Sequence, residues 1–305
     1  MSGYRFVDMG KDSAMNVLVT GSRGFIGRIL VDQLLERGES LTTFDRTAPR
    51  KTEEWRHIPG DLRSIQDVRR AMRGMDMVIH LGAIADSMFE IEEDVFAVNV
   101  EGTHNIYLAA AEAGVSRVIL FSSINATGAV GGHRKTEYFP IDDNYPAHPM
   151  TAYQLSKHLG EEIAKSFSER HGITTVSLRP VFVANPERYP HWKELGRSRL
   201  TRWGKEDYWS YVDVRDVCKA VFLAMEVPVD KYDACLLCAK DTTMDIPTQE
   251  LMANYFPNSN WVGCSPEEWF KDNPYRTVID CAHAKEVLHW EPLHSWRDPV
   301  ETSEK

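Results

Sequence analysis

The stretch that most constrains the fold is a short apolar run followed at once by three closely spaced glycines. Residues 17–20 read Val-Leu-Val-Thr, which predicts a buried strand, and Gly21, Gly24 and Gly27 come directly after it. Apolar residues at helical spacing follow over 29–35. A strand that passes through a glycine turn into a helix leaves backbone N–H groups unpaired at the positive end of the helix dipole, where a pyrophosphate binds well. We therefore predict a dinucleotide-binding turn, in which Gly21 permits the tight turn, Gly24 the approach of phosphate and Gly27 close packing of the helix.

An acidic residue downstream of the glycines bears on the choice of cofactor. Asp45 ends the next apolar run, and a carboxylate at that place accepts hydrogen bonds from the adenosine ribose hydroxyls, which favours NAD. Arg23 and Arg46 leave NADP open, because either guanidinium can pair with a 2′-phosphate.

Length and charge set the broad class of protein. A chain of 305 residues, 43% hydrophobic and 26% charged, suits a globular enzyme of one large or two unequal domains. The net charge of −10 argues against a nucleic-acid partner. No apolar run approaches the length of a membrane span and no signal-peptide pattern opens the chain, so we expect no membrane partner and a polar leader over 1–14.

The five cysteines are odd in number and scattered, which predicts reduced thiols and a cytoplasmic location. Cys235 and Cys238 have the CxxC spacing of zinc and redox sites, but no second pair accompanies them. They lie in an apolar run typical of a strand, in which their side chains face opposite ways, so we interpret them as core residues. The histidines lack metal-ligand spacing, and no metal is predicted.

Strand-like and helix-like runs alternate through residues 15–180, and the strands are nearly continuous apolar runs. This pattern predicts the α/β class, with a Rossmann-like doubly wound parallel sheet covered on both faces. The alternation loosens after residue 180. We therefore expect 181–305 to form a small C-terminal substrate-binding lobe, interleaved with the last elements of the sheet. Ligands of such sheets bind beyond the carboxyl ends of the strands.

A phenol and an ammonium lie one helical turn apart in the second long predicted helix, which spans 153–171. Tyr153 and Lys157 occupy positions i and i+4 and so share a helix face. A cation beside a phenol favours the phenolate, which makes Tyr153 a candidate general acid/base. Lys157 can also hold the nicotinamide ribose.

Several motifs occur together and in an order that resembles the extended short-chain dehydrogenase/reductase superfamily, in its NAD-dependent epimerase/dehydratase group. They are the glycine turn 21–27, Asp45, Gly60-Asp-Leu62, His80-Leu-Gly-Ala83, Asn99-Val-Glu-Gly-Thr103, Phe121-Ser-Ser-Ile-Asn-Ala-Thr-Gly128, Tyr153-x-x-x-Lys157, Leu178-Arg-Pro180 and Tyr211-Val-Asp-Val-Arg-Asp216. The resemblance implies a Rossmann-like domain with bound NAD(H) or NADP(H). It also implies a Ser–Tyr–Lys active site, in which Ser123 bonds the reacting oxygen beside Tyr153 and Lys157.

The resemblance and the strand-end positions together predict two sets of contacts. The predicted cofactor contacts are Gly21, Arg23, Gly24, Phe25, Ile26, Gly27, Asp45, Arg46, Asp61, Leu62, Leu81, Gly82, Ala83, Asn99, Ser122, Tyr153, Lys157, Pro180 and Val183. The predicted substrate contacts are Ser87, Ser123, Asn125, Thr127 and Arg179. The alternatives are a solvated loop serine at Ser87 and an ion pair with a neighbouring carboxylate at Arg179. In this family the helices matching 95–113 and 153–171 often pair across a two-fold axis, which implies a homodimer.

Three departures from the nucleotide-sugar epimerases bear on the substrate. Thr127 stands where they usually carry tyrosine, Phe182 where asparagine is common, and Trp209 where many have a diphosphate-binding arginine. These differences disfavour a UDP-sugar, although an arginine at 197, 199 or 202 can serve a diphosphate instead. Uronate-type dehydrogenases of the superfamily have a similarly short lobe and also lack that tyrosine.

Three functions follow for comparison. The first is NAD(P)-dependent hydride transfer at a secondary alcohol or ketone of a sugar or sugar acid, a small carbohydrate-type substrate. The second is a nucleotide-sugar epimerase that keeps NAD tightly bound through a transient keto intermediate. The third is a non-catalytic NAD(P)-binding sensor, which has no need of an activated phenol.

Overall fold

The computed structural model describes residues 15–47, 55–85, 91–195 and 204–298. Seven parallel strands form one sheet in the order β3-β2-β1-β4-β5-β6-β9. Their bounds are β1 Asn16–Thr20, β2 Ser40–Asp45, β3 Arg56–Pro59, β4 Met77–His80, β5 Arg117–Phe121, β6 Thr174–Pro180 and β9 Tyr232–Leu237. A separate parallel pair consists of β7 Val183–Ala184 and β8 Val212–Asp213.

Helices connect these strands as the alternation predicts. They are α1 Phe25–Glu36, α2 Ile65–Met72, α3 Glu92–Phe96, α4 Gly102–Ala113, α5 Ala152–His171, α6 Tyr189–Leu195, α7 Val214–Glu226, α8 Thr248–Tyr255, α9 Pro266–Phe270 and α10 Ala282–Leu288. The predicted helix over 95–113 begins earlier, at Glu92, and a π-helical segment, Ala97–Glu101, joins α3 to α4. The helix predicted over 153–171 is α5. The Thr151 side chain caps its start by accepting the Gln154 N–H, and Gly172, with φ of 70°, caps its end.

Both faces of the sheet are covered, because side chains alternate along each strand. On β1, Val17 and Val19 pack in a cluster with Leu30 and Leu34 of α1, whereas Leu18 packs in the opposite cluster with Ile106 of α4. A parallel sheet with helices on both faces confirms the predicted α/β doubly wound class.

The sheet is completed by a strand from the C-terminal part of the chain. β9 pairs with β6, with Leu178 opposite Cys235, after the chain has passed through β7, β8 and α7. The C-terminal elements are thus interleaved with the sheet. All five cysteines are free thiols. Among the described residues, no helix combines the length and apolar character needed to cross a membrane.

Candidate active site

Two of the three glycines in the turn after β1 have no room for a side chain. Gly21 has φ of +68°, and a Cβ on it would lie 2.6 Å from the Gly82 backbone nitrogen. A Cβ on Gly27 would lie 2.3 Å from the Gly21 carbonyl oxygen, so the helix packs directly on the turn. Gly24 begins α1 as its N-cap residue without a side-chain cap, which leaves the first N–H groups of the helix to a ligand. This bare cradle fits the pyrophosphate of a dinucleotide.

We expect Gly27→Ala to weaken NAD binding about 10- to 100-fold, because the crowded atoms are backbone and the turn itself must shift, at a cost of about 1–3 kcal/mol. Calorimetric titration with NAD measures the loss. Gly160→Ala is the matched control, since Gly160 also lies in a helix and its Cβ would meet only the Thr103 methyl, at 3.9 Å. Equal affinity losses in the two variants would contradict this account of the turn.

Two carboxylates lie at the ends of the strands β2 and β3. Asp45, the last residue of β2, accepts a hydrogen bond from the Arg23 backbone N–H at 3.1 Å, so it borders the turn. Asp61 follows β3, and its bonds from the Arg63 side chain lower the pKa of its carboxyl. Leu62 is buried against Gly82, on the loop that follows β4.

The remaining predicted cofactor residues lie on the same elements. Phe25 and Ile26 form the first turn of α1, Arg46 follows β2, Leu81 and Ala83 follow β4, Pro180 ends β6 and Val183 begins β7. The predicted contacts thus come mostly from the carboxyl ends of neighbouring strands.

His80, at the end of β4, is a buried structural residue. Its ring nitrogens bond the hydroxyls of Thr20, at 2.7 Å, and Thr103, at 3.1 Å. Burial, with a smaller contribution from Lys157, lowers the pKa of His80 to about 3, so the ring is neutral. Thr20 also accepts the Gly82 N–H, which ties β1 to the glycine-containing loop.

Asn99 lies in the π-helical segment and connects two parts of the site. Its side-chain oxygen accepts the Ile84 backbone N–H at 2.7 Å, and its side-chain nitrogen donates to the Ile84 carbonyl at 3.0 Å. The same nitrogen also donates to the Ser156 hydroxyl on α5 at 3.0 Å. Asn99 therefore positions the loop after β4 against α5. Its predicted contact with the cofactor stays a prediction.

Tyr153 and Lys157 lie together on the first turns of α5. The Lys157 ammonium is 5.7 Å from the centre of the Tyr153 ring and donates to the Phe121 carbonyl, at the end of β5, at 2.8 Å. Burial lowers the pKa of Lys157 to about 8, while the Glu161 carboxylate opposes this shift. The lysine lines one narrow crevice with Gly82, Ala83 and Ser122.

The two serines after β5 have different surroundings. Ser122 donates to the Glu161 carboxylate at 2.5 Å, so its hydroxyl is engaged inside the protein. Ser123 accepts from the backbone and side-chain amides of Asn125, at 3.2 and 3.3 Å, and caps a short 3₁₀ helix, Ile124–Thr127. Asn125 is in turn 3.5 Å from the Gln154 amide, which brings the Ser123 loop to the start of α5.

A buried ion-pair network lies behind these residues, and its carboxylates were not identified from the sequence. Arg179 forms two bonds to Glu161, at 2.8 and 2.7 Å, and pairs with Asp143 at 3.3 Å. Asp143 accepts the backbone N–H of Leu236 on β9 at 2.9 Å. Burial raises the pKa of Asp143 to about 6, partly offset by Leu236 and Arg179. The only sequence signal for this network is Glu161, four residues after Lys157 on a helix.

The predicted substrate contacts are only partly brought together. Thr127 is buried, donates to the Ile124 carbonyl and accepts the Ala129 N–H, so its hydroxyl serves the turn. Arg179 makes the ion pairs that formed the alternative interpretation. Both side chains are thus engaged within the protein, whereas Ser123 and Asn125 lie beside α5. Ser87, like the arginines at 197, 199 and 202, lies outside the described residues.

With the geometry in place, comparison with known proteins identifies the family. The model of the NAD dependent epimerase/dehydratase family matches residues 17–235. The chain belongs to this family. The predictions of the family, of a Rossmann fold and of NAD as cofactor are thereby confirmed, and the relatives are named dehydrogenases and epimerases.

Two curated relatives and one crystal structure illustrate the similarity within the family. The chain is 34% identical over 165 residues to a uronate dehydrogenase of Pseudomonas putida, covering 53% of this chain and 59% of that protein. It is 32% identical over 172 residues to a putative UDP-glucose 4-epimerase of Methanocaldococcus jannaschii, covering 53% and 54%. The matches span a little over half the length of these relatives. A short-chain dehydrogenase/reductase superfamily protein from Agrobacterium tumefaciens with bound NAD shares the fold, with a TM-score of 0.67, 23% identity and coverage of 92% of this chain and 93% of that one.

Proposed function

We propose that the protein is an NAD-dependent dehydrogenase that oxidises a secondary alcohol of a sugar acid. The observation that carries the proposal is the ammonium of Lys157 beside the Tyr153 ring, anchored on the carbonyl at the end of β5. A fixed cation next to a phenol stabilises the phenolate that an acid/base residue must form. A sensor that only binds the cofactor has no use for that arrangement.

The chain's own residues divide the reaction between them. Tyr153 takes the proton from the substrate hydroxyl, and the Ser123 hydroxyl donates to the same oxygen as its charge develops. Lys157 stabilises the phenolate and holds the nicotinamide ribose. NAD, when bound, supplies the hydride acceptor. Asn125 orients Ser123 through the two amide contacts described above.

A sugar acid is preferred over a nucleotide sugar because three polar contacts expected for a diphosphate sugar are missing. Thr127 is engaged in its own turn, Trp209 is buried with 1% exposure, and Phe182 presents a half-exposed ring. The similarity to a uronate dehydrogenase supports the same choice. The second candidate is a nucleotide-sugar epimerase, favoured by the similarity to a putative UDP-glucose 4-epimerase.

An activity panel distinguishes these functions. The protein is incubated with free hexuronates and with UDP-hexoses, each with NAD or NADP, and the absorbance of reduced cofactor is followed. We expect stoichiometric NADH from a hexuronate. Interconversion of UDP-hexoses without net NADH would favour the epimerase. NAD binding without turnover of either class would favour the sensor.

We further propose a cytoplasmic homodimer. Large apolar side chains are exposed where α3 meets the start of α5, namely Ile91, Phe96, Met150 and Leu155, with exposures of 39–62%. The patch adjoins the two helices that the family resemblance implies will pair. The five free thiols agree with a reducing compartment.

A further inference from the structure

Three side chains of metal-ligand type meet between the edge strand β9 and helix α10, away from the candidate active site. They are Asp233 and Cys235 on β9 and His283 on α10. Their ligand atoms all lie within 4.8 Å of one another, and the Asp233 carboxylate is 2.6 Å from His283 Nε2. Within the ranges that the structure describes, this is the one group of three such residues at that spacing.

The positions of these residues follow from the geometry of the strand. Residues i and i+2 of a strand project from the same face, so Asp233 and Cys235 both face α10, whereas Cys238 instead contacts Tyr211 and Thr277. Ligand atoms around a tetrahedral zinc lie about 3.3–3.8 Å apart, given bond lengths of about 2.0–2.3 Å. To reach that range, the 2.6 Å contact between Asp233 and His283 has to widen, and any ligand-atom distance near the 4.8 Å limit has to shorten by about 1 Å.

Ligand chemistry and charge favour zinc among the common divalent ions. One sulfur, one imidazole nitrogen and one carboxylate oxygen form a mixed set that suits zinc rather than calcium or magnesium. A thiolate, a carboxylate and a neutral imidazole together balance a charge of +2. The neighbouring Asp143 pairs with Arg179, whose single positive charge it shares with Glu161.

The site is also accessible to an ion from solvent. The Cys235 side chain is buried, but the side chains of Asp233 and His283 are 27% and 37% exposed. Asp233 is the second residue of β9, so the group lies toward the amino end of the strand, whereas the cofactor contacts cluster at the carboxyl ends. An ion at this place would join β9 to α10 and would not contact the reacting atoms.

We propose that Asp233, Cys235 and His283 bind a zinc ion that fastens α10 to the edge strand of the sheet. The bonds formed are Zn–O, Zn–S and Zn–N. The Cys235 thiol releases its proton to solvent as the Zn–S bond forms, and His283 binds as the neutral imidazole. Water completes the coordination. The role is structural and is independent of the proposed dehydrogenase activity.

The test titrates the chelator-treated full-length protein with zinc, in competition with a chromophoric chelator, and with cobalt(II) as a spectroscopic probe. We expect one zinc per chain and a near-ultraviolet thiolate-to-cobalt band. Cys235→Ala should abolish the band, and Cys235→Ala and His283→Gln should each weaken zinc binding about 100-fold or more. Zinc should raise the Tm of the parent protein by a few degrees and leave that of His283→Gln unchanged.

Matched controls make the result specific. Cys238→Ala removes another buried thiol, and His294→Gln breaks a second His–Asp pair, with Asp216 at 2.9 Å and with 32% exposure of the histidine. Both variants should bind zinc and cobalt like the parent. The proposal is overturned if the parent binds no zinc in the competition assay, if cobalt gives no thiolate band, or if the control variants lose binding as much as the ligand variants. Titration of the same samples with NAD tests cofactor binding separately, because Asp233, Cys235 and His283 are not among the predicted cofactor contacts.

Discussion

Replacing Tyr153 by phenylalanine is expected to lower kcat about 1,000-fold and to leave the dissociation constant for NAD within about twofold of the parent value. The hydroxyl is the proposed proton acceptor, and general acid/base groups typically contribute about 10²- to 10⁴-fold. The ring itself remains beside Lys157, so the α5 surface should stay intact. Steady-state rates of NADH formation and calorimetric NAD titration measure the two quantities.

Tyr138→Phe provides the control for losing a phenol as such. The Tyr138 hydroxyl donates to Asp142 at 2.8 Å, in the segment that precedes α5. We expect its kcat to remain near that of the parent. Unchanged turnover in Tyr153→Phe would remove the acid/base assignment, and a parallel loss of NAD affinity would indicate that the variant disturbs the cleft instead.

Glu161→Gln is expected to lower the free energy of unfolding by about 3 kcal/mol or more, because it removes the charge that neutralises a buried guanidinium. The Glu161 and Arg179 side chains are 2% and 11% exposed, and two bonds of 2.8 and 2.7 Å join them. Asp143 remains as one partner of Arg179, but the two-bond contact is lost. Urea denaturation measures the change.

Glu162→Gln is the matched control at the neighbouring position. Glu162 is 49% exposed and pairs with Lys165 at 2.6 Å, and such surface pairs contribute at most about 1 kcal/mol. If Glu161→Gln lowers the free energy of unfolding no more than Glu162→Gln does, the ion-pair network does not stabilise the fold.

Glu161→Gln is also expected to change the pH dependence of turnover. Burial lowers the pKa of Lys157 to about 8, and the negative charge of Glu161 opposes that shift. Without this charge the pKa of Lys157 falls further, so the ammonium is lost at a lower pH. The alkaline limb of kcat should therefore move to lower pH in Glu161→Gln and stay in place in Glu161→Asp, which keeps the charge. If Glu161 acted only on the stability of the fold, the alkaline limb of the kcat profile would stay at the same pH in Glu161→Gln.

The features that sequence reasoning predicted are those with short-range signals. The glycine turn is encoded within seven residues, because Gly21 needs a positive φ and Gly27 tolerates no Cβ. The buried strands are continuous apolar runs, and the Tyr153–Lys157 pair follows from the helical repeat. The helix predicted from residue 153 begins one residue earlier, at Ala152.

The features that it did not predict depend on contacts between distant parts of the chain. The sequence left Arg179 open between a substrate contact and an ion pair, because it does not show that Glu161 and Asp143 lie beside the guanidinium. Asp143 in turn lies 93 residues from its partner Leu236. The change from α- to π-helix around Asn99 leaves no mark in the apolar pattern. Cys235 pairs in space with His283 and not with its sequence neighbour Cys238.

The edge strand β9 comes from the C-terminal part of the chain, and this limits how the substrate specificity of the protein can be redesigned. A chimera joined at residue 181 would exchange the edge strand together with the lobe, and with it the Leu236 amide that holds Asp143 and, through Arg179, the helix bearing Tyr153. We therefore expect recombination of whole halves to disturb the proposed catalytic helix together with the proposed substrate lobe. Grafting loops between β6 and β8 keeps the contacts among Leu236, Asp143 and Arg179, so such grafts are better suited to changing the substrate.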